Sequence, residues 1–161
     1  MWWSLAVVLG GLVFAGVVLK WVSWAQRERF RRLYAPEKIE RELRGVSLRV
    51  LTQGPPILTG MKSSRVNRTT GDIFVAHDAL LIVCTRGKLV EIRPGVGRRL
   101  DSVRTPGPQL LVLEGSHPMA SGPPGSYRIE LVVEDAKSWV RTLEAFASEE
   151  APKTPWIGET A

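Results

Sequence analysis

Apolar and polar positions change rhythm along this chain. From Trp2 to Leu19 (WWSLAVVLGGLVFAGVVL) there is no charged residue. After Lys20 the run resumes through Trp21, Val22, Ser23 and Trp24. Trp2 to Trp24 makes 23 residues, about 34 Å of helix at 1.5 Å per residue, and a bilayer core is ~30 Å thick. Tryptophans stand at both edges, and Lys20 sits where its ammonium reaches the headgroups. The pattern predicts a transmembrane helix over residues 1–25. Ser23 and Ala25 form a small-x-small pair. Yet no Lys or Arg precedes the run, and it exceeds the roughly 7–15 apolar residues of a signal peptide. An uncleaved anchor is therefore expected. Ala6 and Gly10, and Gly11 and Ala15, are small residues spaced by four, which lets helices approach closely.

Residues 26–45 read as basic juxtamembrane helices and linker. Arg27, Arg29, Arg31 and Arg32 follow the apolar run and form a membrane-proximal basic set. By the positive-inside rule they place the C-terminal side in the cytoplasm. The expected location is the inner (plasma) membrane, single-pass, with the N-terminus outside. Phe30, Leu33 and Tyr34 share one face of an interfacial helix. Pro36 breaks it, and Pro36 to Arg44 reads as a second short helix with Gly45 as C-cap.

From Val46 the period changes to two. Val46, Leu48 and Val50 alternate with Ser47, Arg49 and Leu51, as in a half-buried strand. Further strands are expected over Ile57 to Val66, Asp72 to His77, Ala79 to Thr85, Leu89 to Arg93, Gln109 to Glu114 and Tyr127 to Val133. Asn67 to Gly71 reads as a turn. Pro94 to Pro108 reads as a long loop holding a short strand near Leu100 to Val103. Asp135 to Ala147 is a helix with Asp135 as N-cap and one apolar stripe through Ala136, Trp139, Val140, Leu143, Phe146 and Ala147. Residues 148–161, with Pro152, Pro155 and Gly158, read as a disordered tail.

The organisation predicted is an N-terminal transmembrane α-helix followed by an α+β, mainly-β domain over 46–147. Its seven strands and closing helix resemble the pleckstrin-homology-type (PH-like) domain, in its GRAM-type, bacterial form. The run YRIELVVEDAKSWVRTLEAF is similar to the end of that family, where the last strand feeds a capping helix. That helix carries a tryptophan packed over the open end of the barrel, and Trp139 matches it. GDIFVAHDALLIV, Gly71 to Val83, resembles the strand–turn–strand of the bacterial and GRAM-like branches. The resemblance implies a seven-stranded barrel capped by a C-terminal helix, serving as a binding or assembly module. Phosphoinositide-binding members carry a lysine and then Lys/Arg-x-Arg across the first hairpin. Lys62, Arg65 and Arg68 are spaced K-x-x-R-x-x-R instead, so inositol-phosphate recognition is not implied.

Charge sharpens this. The chain is +6 overall. Residues 1–45 carry 8 basic and 4 acidic groups, residues 46–109 carry 10 and 4, and residues 110–161 carry 4 and 8. The basic part lies nearest the apolar run, so anionic lipid is the nearer partner and nucleic acid is not expected. Lys62, Arg65 and Arg68, with Arg86 and Lys88 at a hairpin tip, form the candidate ligand face. No catalytic, cofactor or metal site is expected. His77 and His117 have no ligand cluster at metal spacing, Gly95-Val96-Gly97 is no phosphate loop, and Ser116 and Ser121 are in no nucleophile elbow. The single Cys84, inside an apolar strand, reads as a buried thiol. The function expected is a single-pass, membrane-anchored cytoplasmic binding or scaffolding module contacting anionic lipid. The alternative is an assembly subunit that binds a membrane protein partner through the β domain.

Overall fold

A computed structural model describes residues 2–34, 38–55, 57, 61–63, 65–93, 99–117 and 124–147. The side chains of residues 2–9, 27, 30, 33 and 34 lie outside the described set. In chain order the elements are helix α1 (Trp2–Tyr34), strands β1 (Ile39–Gln53), β2 (Asn67–Ala76), β3 (Leu80–Cys84), β4 (Gly87–Ile92), β5 (Arg99–Gly107), β6 (Leu110–His117) and β7 (Gly125–Val132), and helix α2 (Ala136–Glu144). The seven strands form one antiparallel sheet in the order β4-β3-β2-β1-β7-β6-β5.

The domain is mainly β, and it is a curled half-barrel rather than the closed barrel expected from the sequence. The sheet is two meanders, β1 to β4 and β5 to β7, joined where β1 pairs with β7. Inward residues alternate as a period of two requires. Leu48, Val50, Ile73, Val75, Leu80, Ile82, Leu111, Leu113, Ile129 and Leu131 fill one core. Gly71 has no room for a side chain, because Leu48 Cδ1 and the Val83 carbonyl occupy the space a Cβ would take.

β1 serves both meanders because it bends. The register shifts between Leu43 and Val46, and Gly45 adopts φ 66°, a left-handed conformation that glycine takes at little cost. The Asp72 carboxylate accepts a hydrogen bond from the Gly45 backbone N–H at 2.7 Å. The residues before the bend, expected as a second helix over Pro36 to Arg44, are strand from Ile39. Glu40, Glu42 and Arg44 suit a helix locally, but the register with β2 decides the outcome. Residues 35–37 lie outside the described set.

α2 closes the inner face. Asp135 caps it, its carboxylate accepting from the Ser138 N–H at 3.1 Å. Ala136, Trp139 and Leu143 are buried in the main core. Arg41, on β1, places its guanidinium carbon 4.0 Å from the Trp139 ring centroid. The same side chain donates to the Ser138 carbonyl at 3.0 Å, the Ser138 hydroxyl at 2.9 Å and the Thr142 hydroxyl at 2.8 Å. This strut ties the last element to the first strand.

The outer face of β2 and β3 is also covered. Phe74, Leu81 and Val83 form a second buried cluster with Ile39. α1 touches β3 and β4, and its Trp24, Glu28 and Arg31 line an open pocket with Arg44, Gly45, Asp72 and Phe74.

That docking bears on the expected anchor. Among the described residues no helix is long and apolar enough to cross a membrane. The finding overturns the transmembrane helix over 1–25, the single-pass topology and the assignment to the inner (plasma) membrane with a cytoplasmic domain. α1 is one helix of 33 residues. Past Lys20 it carries Arg27, Glu28, Arg29, Arg31 and Arg32, so its last turns are charged and lean on the sheet. The side chains of the first part of the expected anchor, residues 2–9, lie outside the described set.

Trp139→Ala should cost about 3–5 kcal/mol, as for a large aromatic removed from a core. Arg41→Ala should cost about 1–3 kcal/mol, because it strips three hydrogen bonds. Urea unfolding of both single variants and the double variant should give a coupling of about 0.5–2 kcal/mol. Strict additivity would mean the ring and the guanidinium stabilise the fold independently.

Candidate functional site

Two surfaces stand out, one apolar and one charged. The apolar one is α1 from Gly10 to Trp24. Leu12, Phe14 and Leu19 are 66%, 70% and 70% exposed. Val13, Val17, Trp21 and Trp24 are open as well. Together with Val18 and Val22, 39% and 41% exposed, these positions lie on all sides of the axis at 100° per residue. An added Cβ at Gly10, Gly11 or Gly16 would meet nothing within 4 Å. The β domain therefore holds this helix by its C-terminal end and leaves the apolar arm uncovered.

Of the basic set that follows the apolar run, Arg31 and Arg32 are engaged with acid groups. Arg31 lies 3.7 Å from Glu28 and 3.8 Å from Glu42 of β1, so it bridges helix and sheet. Arg32 lies 3.4 Å from Glu28. Arg44 donates to Glu42 at 3.0 Å, and that hydrogen bond raises its pKa. Arg29 is exposed, and the Arg27 side chain lies outside the described set.

The candidate ligand face is assembled at one end of the sheet. β1 ends and β2 begins there, and Gly71 pairs with Cys84 at the last rung before the β3–β4 turn. Lys62, Arg65, Arg68, Arg86 and Lys88 thus share that end. Lys62, Arg65, Arg68 and Arg86 are exposed, and Lys88 is paired with Glu91. Asn67 braces the loop before β2. Its Oδ1 accepts from the Lys62 N–H at 3.1 Å, and its Nδ2 donates to the Lys62 and Arg65 carbonyls at 2.9 and 3.1 Å. The Arg86 N–H donates to Cys84 Sγ at 3.4 Å, and Cys84 itself is buried.

Sequence reasoning missed a charge ladder on the outer face of the sheet. Arg104 of β5 meets Glu114 of β6 at 2.6 Å, and Glu114 meets Arg128 of β7 at 3.7 Å. Arg128 meets Glu130 at 3.1 Å, and Glu130 meets Arg49 of β1 at 3.0 Å. Fully buried Val112 pairs in register with Arg104 and Glu130 and lies under their stems. Alternation marks these residues as outward, but only the strand order makes them neighbours.

Among the described residues no group of three or more His, Cys, Asp or Glu is placed to hold a metal ion. His77 is exposed, 3.9 Å from Glu40, and His117 is buried against Gly125. Burial raises the pKa of Asp101 above the ordinary carboxyl range, opposed by a hydrogen bond from the Ser116 hydroxyl at 3.3 Å and by Arg99.

A folded-state carboxyl with a raised pKa binds its proton more tightly than the unfolded chain does, so its contribution to stability falls as pH rises through that range. Asp101→Asn keeps an acceptor for Ser116 and removes the charge. The variant should therefore be more stable than the parent at pH 7, with the difference closing once the pH falls below about 4. Urea midpoints across pH measure this, and a parent that is the more stable at neutral pH would contradict it.

Set against known proteins, the chain matches no family model and no curated protein.

Proposed function

We propose that this chain is a non-enzymatic assembly module of PH-like architecture, which docks onto a partner protein by inserting the apolar arm of α1 into an enclosing apolar cleft. The observation that carries this reading is the exposure of Leu12, Val13, Phe14, Val17, Leu19, Trp21 and Val22 on all sides of one helix. A helix that is apolar on all sides belongs in an enclosed setting, and a contiguous exposed apolar surface on this scale marks an interaction site. A single flanking helix would cover only one side, so the cleft must wrap the arm.

The rest of the molecule supports that role. The C-terminal end of α1 is fixed to the sheet through the Arg31–Glu42 bridge, so the β domain presents the arm from a defined base. The sheet edges are poorer docking surfaces. β4 is short, carries Lys88 and adjoins the shift between Ile82 and Val83. β5 has two register shifts and Pro106, and Ala147 bridges to it at Leu100. Short, irregular and charged edges discourage strand addition. The closing helix, with Trp139 set into the core, supports the PH-like reading.

The test places a photo-crosslinking residue at Phe14, Val17 or Leu19 of the full chain in cells, with Val132, exposed on β7, as control. A reproducible protein adduct specific to the arm is expected. Val17→Glu should lower its yield about tenfold or more, because a carboxylate would have to be buried. Adducts to lipid alone, or none at all, would overturn the proposal.

A further inference from the structure

We propose that the outer face at the β1–β2 end of the sheet is a docking surface for an extended acidic polypeptide, with Arg49, Arg68, Arg65 and Lys62 as its contact residues. This surface is separate from the α1 arm. The observation behind it is a cross-strand register pair of like charge. Arg49 of β1 sits directly opposite Arg68 of β2, and both lie on the outward side of strands whose inward positions are Leu48, Val50 and Ile73. Like charges placed opposite each other on one sheet face weaken the pairing. An exposed strand position tolerates many residues, so nothing in the core requires an arginine at 68.

The charge ladder makes the excess explicit. Arg104, Arg128 and Arg49 share two carboxylates, Glu114 and Glu130. The ladder thus ends on β1 with its acid groups already committed. Arg68 extends the row by one strand, and no described carboxylate is paired with it. Lys62 and Arg65 stand on the braced loop leading into β2, and the β3–β4 turn brings Arg86 alongside the same end.

The arrangement selects the class of ligand. A compact phosphate is held by donors that converge on it, commonly backbone N–H groups at a helix start or a charged fork. Here the cations are exposed and spread across neighbouring strands about 4.8 Å apart and along a loop. A row of separated cations suits an extended chain with several carboxylates. Such a contact draws on electrostatic complementarity, so it is fast to form and sensitive to salt.

The experiment uses the full chain and a fluorescent decaglutamate peptide, followed by anisotropy at two salt concentrations. Binding that weakens with salt is expected. Arg65→Glu/Arg68→Glu should lower affinity at least tenfold. Lys137→Glu/Arg141→Glu, the same change of four charges at two exposed positions of α2, should leave it within about twofold. Arg68→Thr supplies an independent readout. It should weaken binding several-fold while raising the thermal midpoint, because the like-charge pair is relieved. Equal losses from the Lys137/Arg141 and Arg65/Arg68 changes would overturn the proposal, since net charge alone would then explain binding. A lower midpoint in Arg68→Thr would overturn the like-charge argument. Inositol hexakisphosphate displacing the peptide at more than tenfold lower total charge would point to a compact anion instead. Anionic vesicles that bind in an Arg68-dependent way, with no peptide binding, would assign the surface to lipid and overturn it equally.

Discussion

The bend in β1 is the constraint on which the rest of the molecule depends. One strand must pair with β2 on one side and β7 on the other, and its two ends must follow different directions for the sheet to curl. Gly45 supplies the left-handed residue, and the Asp72 carboxylate holds its N–H. Before the bend, Arg41 and Leu43 face α2 and the core. After it, Leu48 and Val50 do. With a straight β1 the two meanders would lie in one plane. Trp139 would then have no concave surface to enter, and Phe74, Leu81 and Val83 would lose their relation to α1.

Electrostatics follow the same geometry. The outer face from β5 to β1 is a row of alternating guanidinium and carboxylate groups over Val112, three of the first to two of the second. Arg104 and Arg49 at its ends are exposed and contribute little each as ion pairs, while Glu114, Arg128 and Glu130 between them are largely covered. Beyond β1 the alternation stops at Arg68, with which no described carboxylate is paired. The +6 charge of the chain is therefore not uniformly spread. On the sheet it collects at one end, next to a loop that Asn67 holds in shape.

Much of the β domain was legible in the sequence. The strands around Leu80 to Cys84, Leu110 to His117 and Gly125 to Val132 follow from alternation and β-branched content, and α2 follows from its stripe and cap. Three features were not legible, for definite reasons. Ile39 to Arg44 has the local composition of a helix but is fixed as strand by pairing with β2. Ile57 to Val66 has strand-like composition, while the strand itself starts at Asn67. There Asn67, Arg68, Thr69 and Thr70 resemble a turn until paired with β1. Arg99 to Gly107 was legible only as a short strand near Leu100 to Val103 inside a loop, because Pro106 and Gly107 read as breakers, yet it is a nine-residue edge strand. The apolar N-terminal run was visible at once, but its meaning depended on where the helix ends and what that end touches. The basic ligand face was legible as residues. Its pairing with Arg49 was not, because cross-strand register is a property of the sheet.

The junction of β1 with β7 also orders how the chain assembles. Within each meander, strands close over short turns such as Thr85–Arg86 or Pro108–Gln109. Leu48 pairs with Leu131, 83 positions later, so that seam closes a loop of most of the domain. Loop-closure entropy must be met before such a contact stabilises anything, and contacts distant in sequence slow folding. That seam is the costliest closure in the sheet, and Arg41 of β1 reaches across to α2, which follows β7. Until that closure the inner faces of both meanders are open to water. The closure that costs most chain entropy is therefore also the one that brings the two halves of the core together.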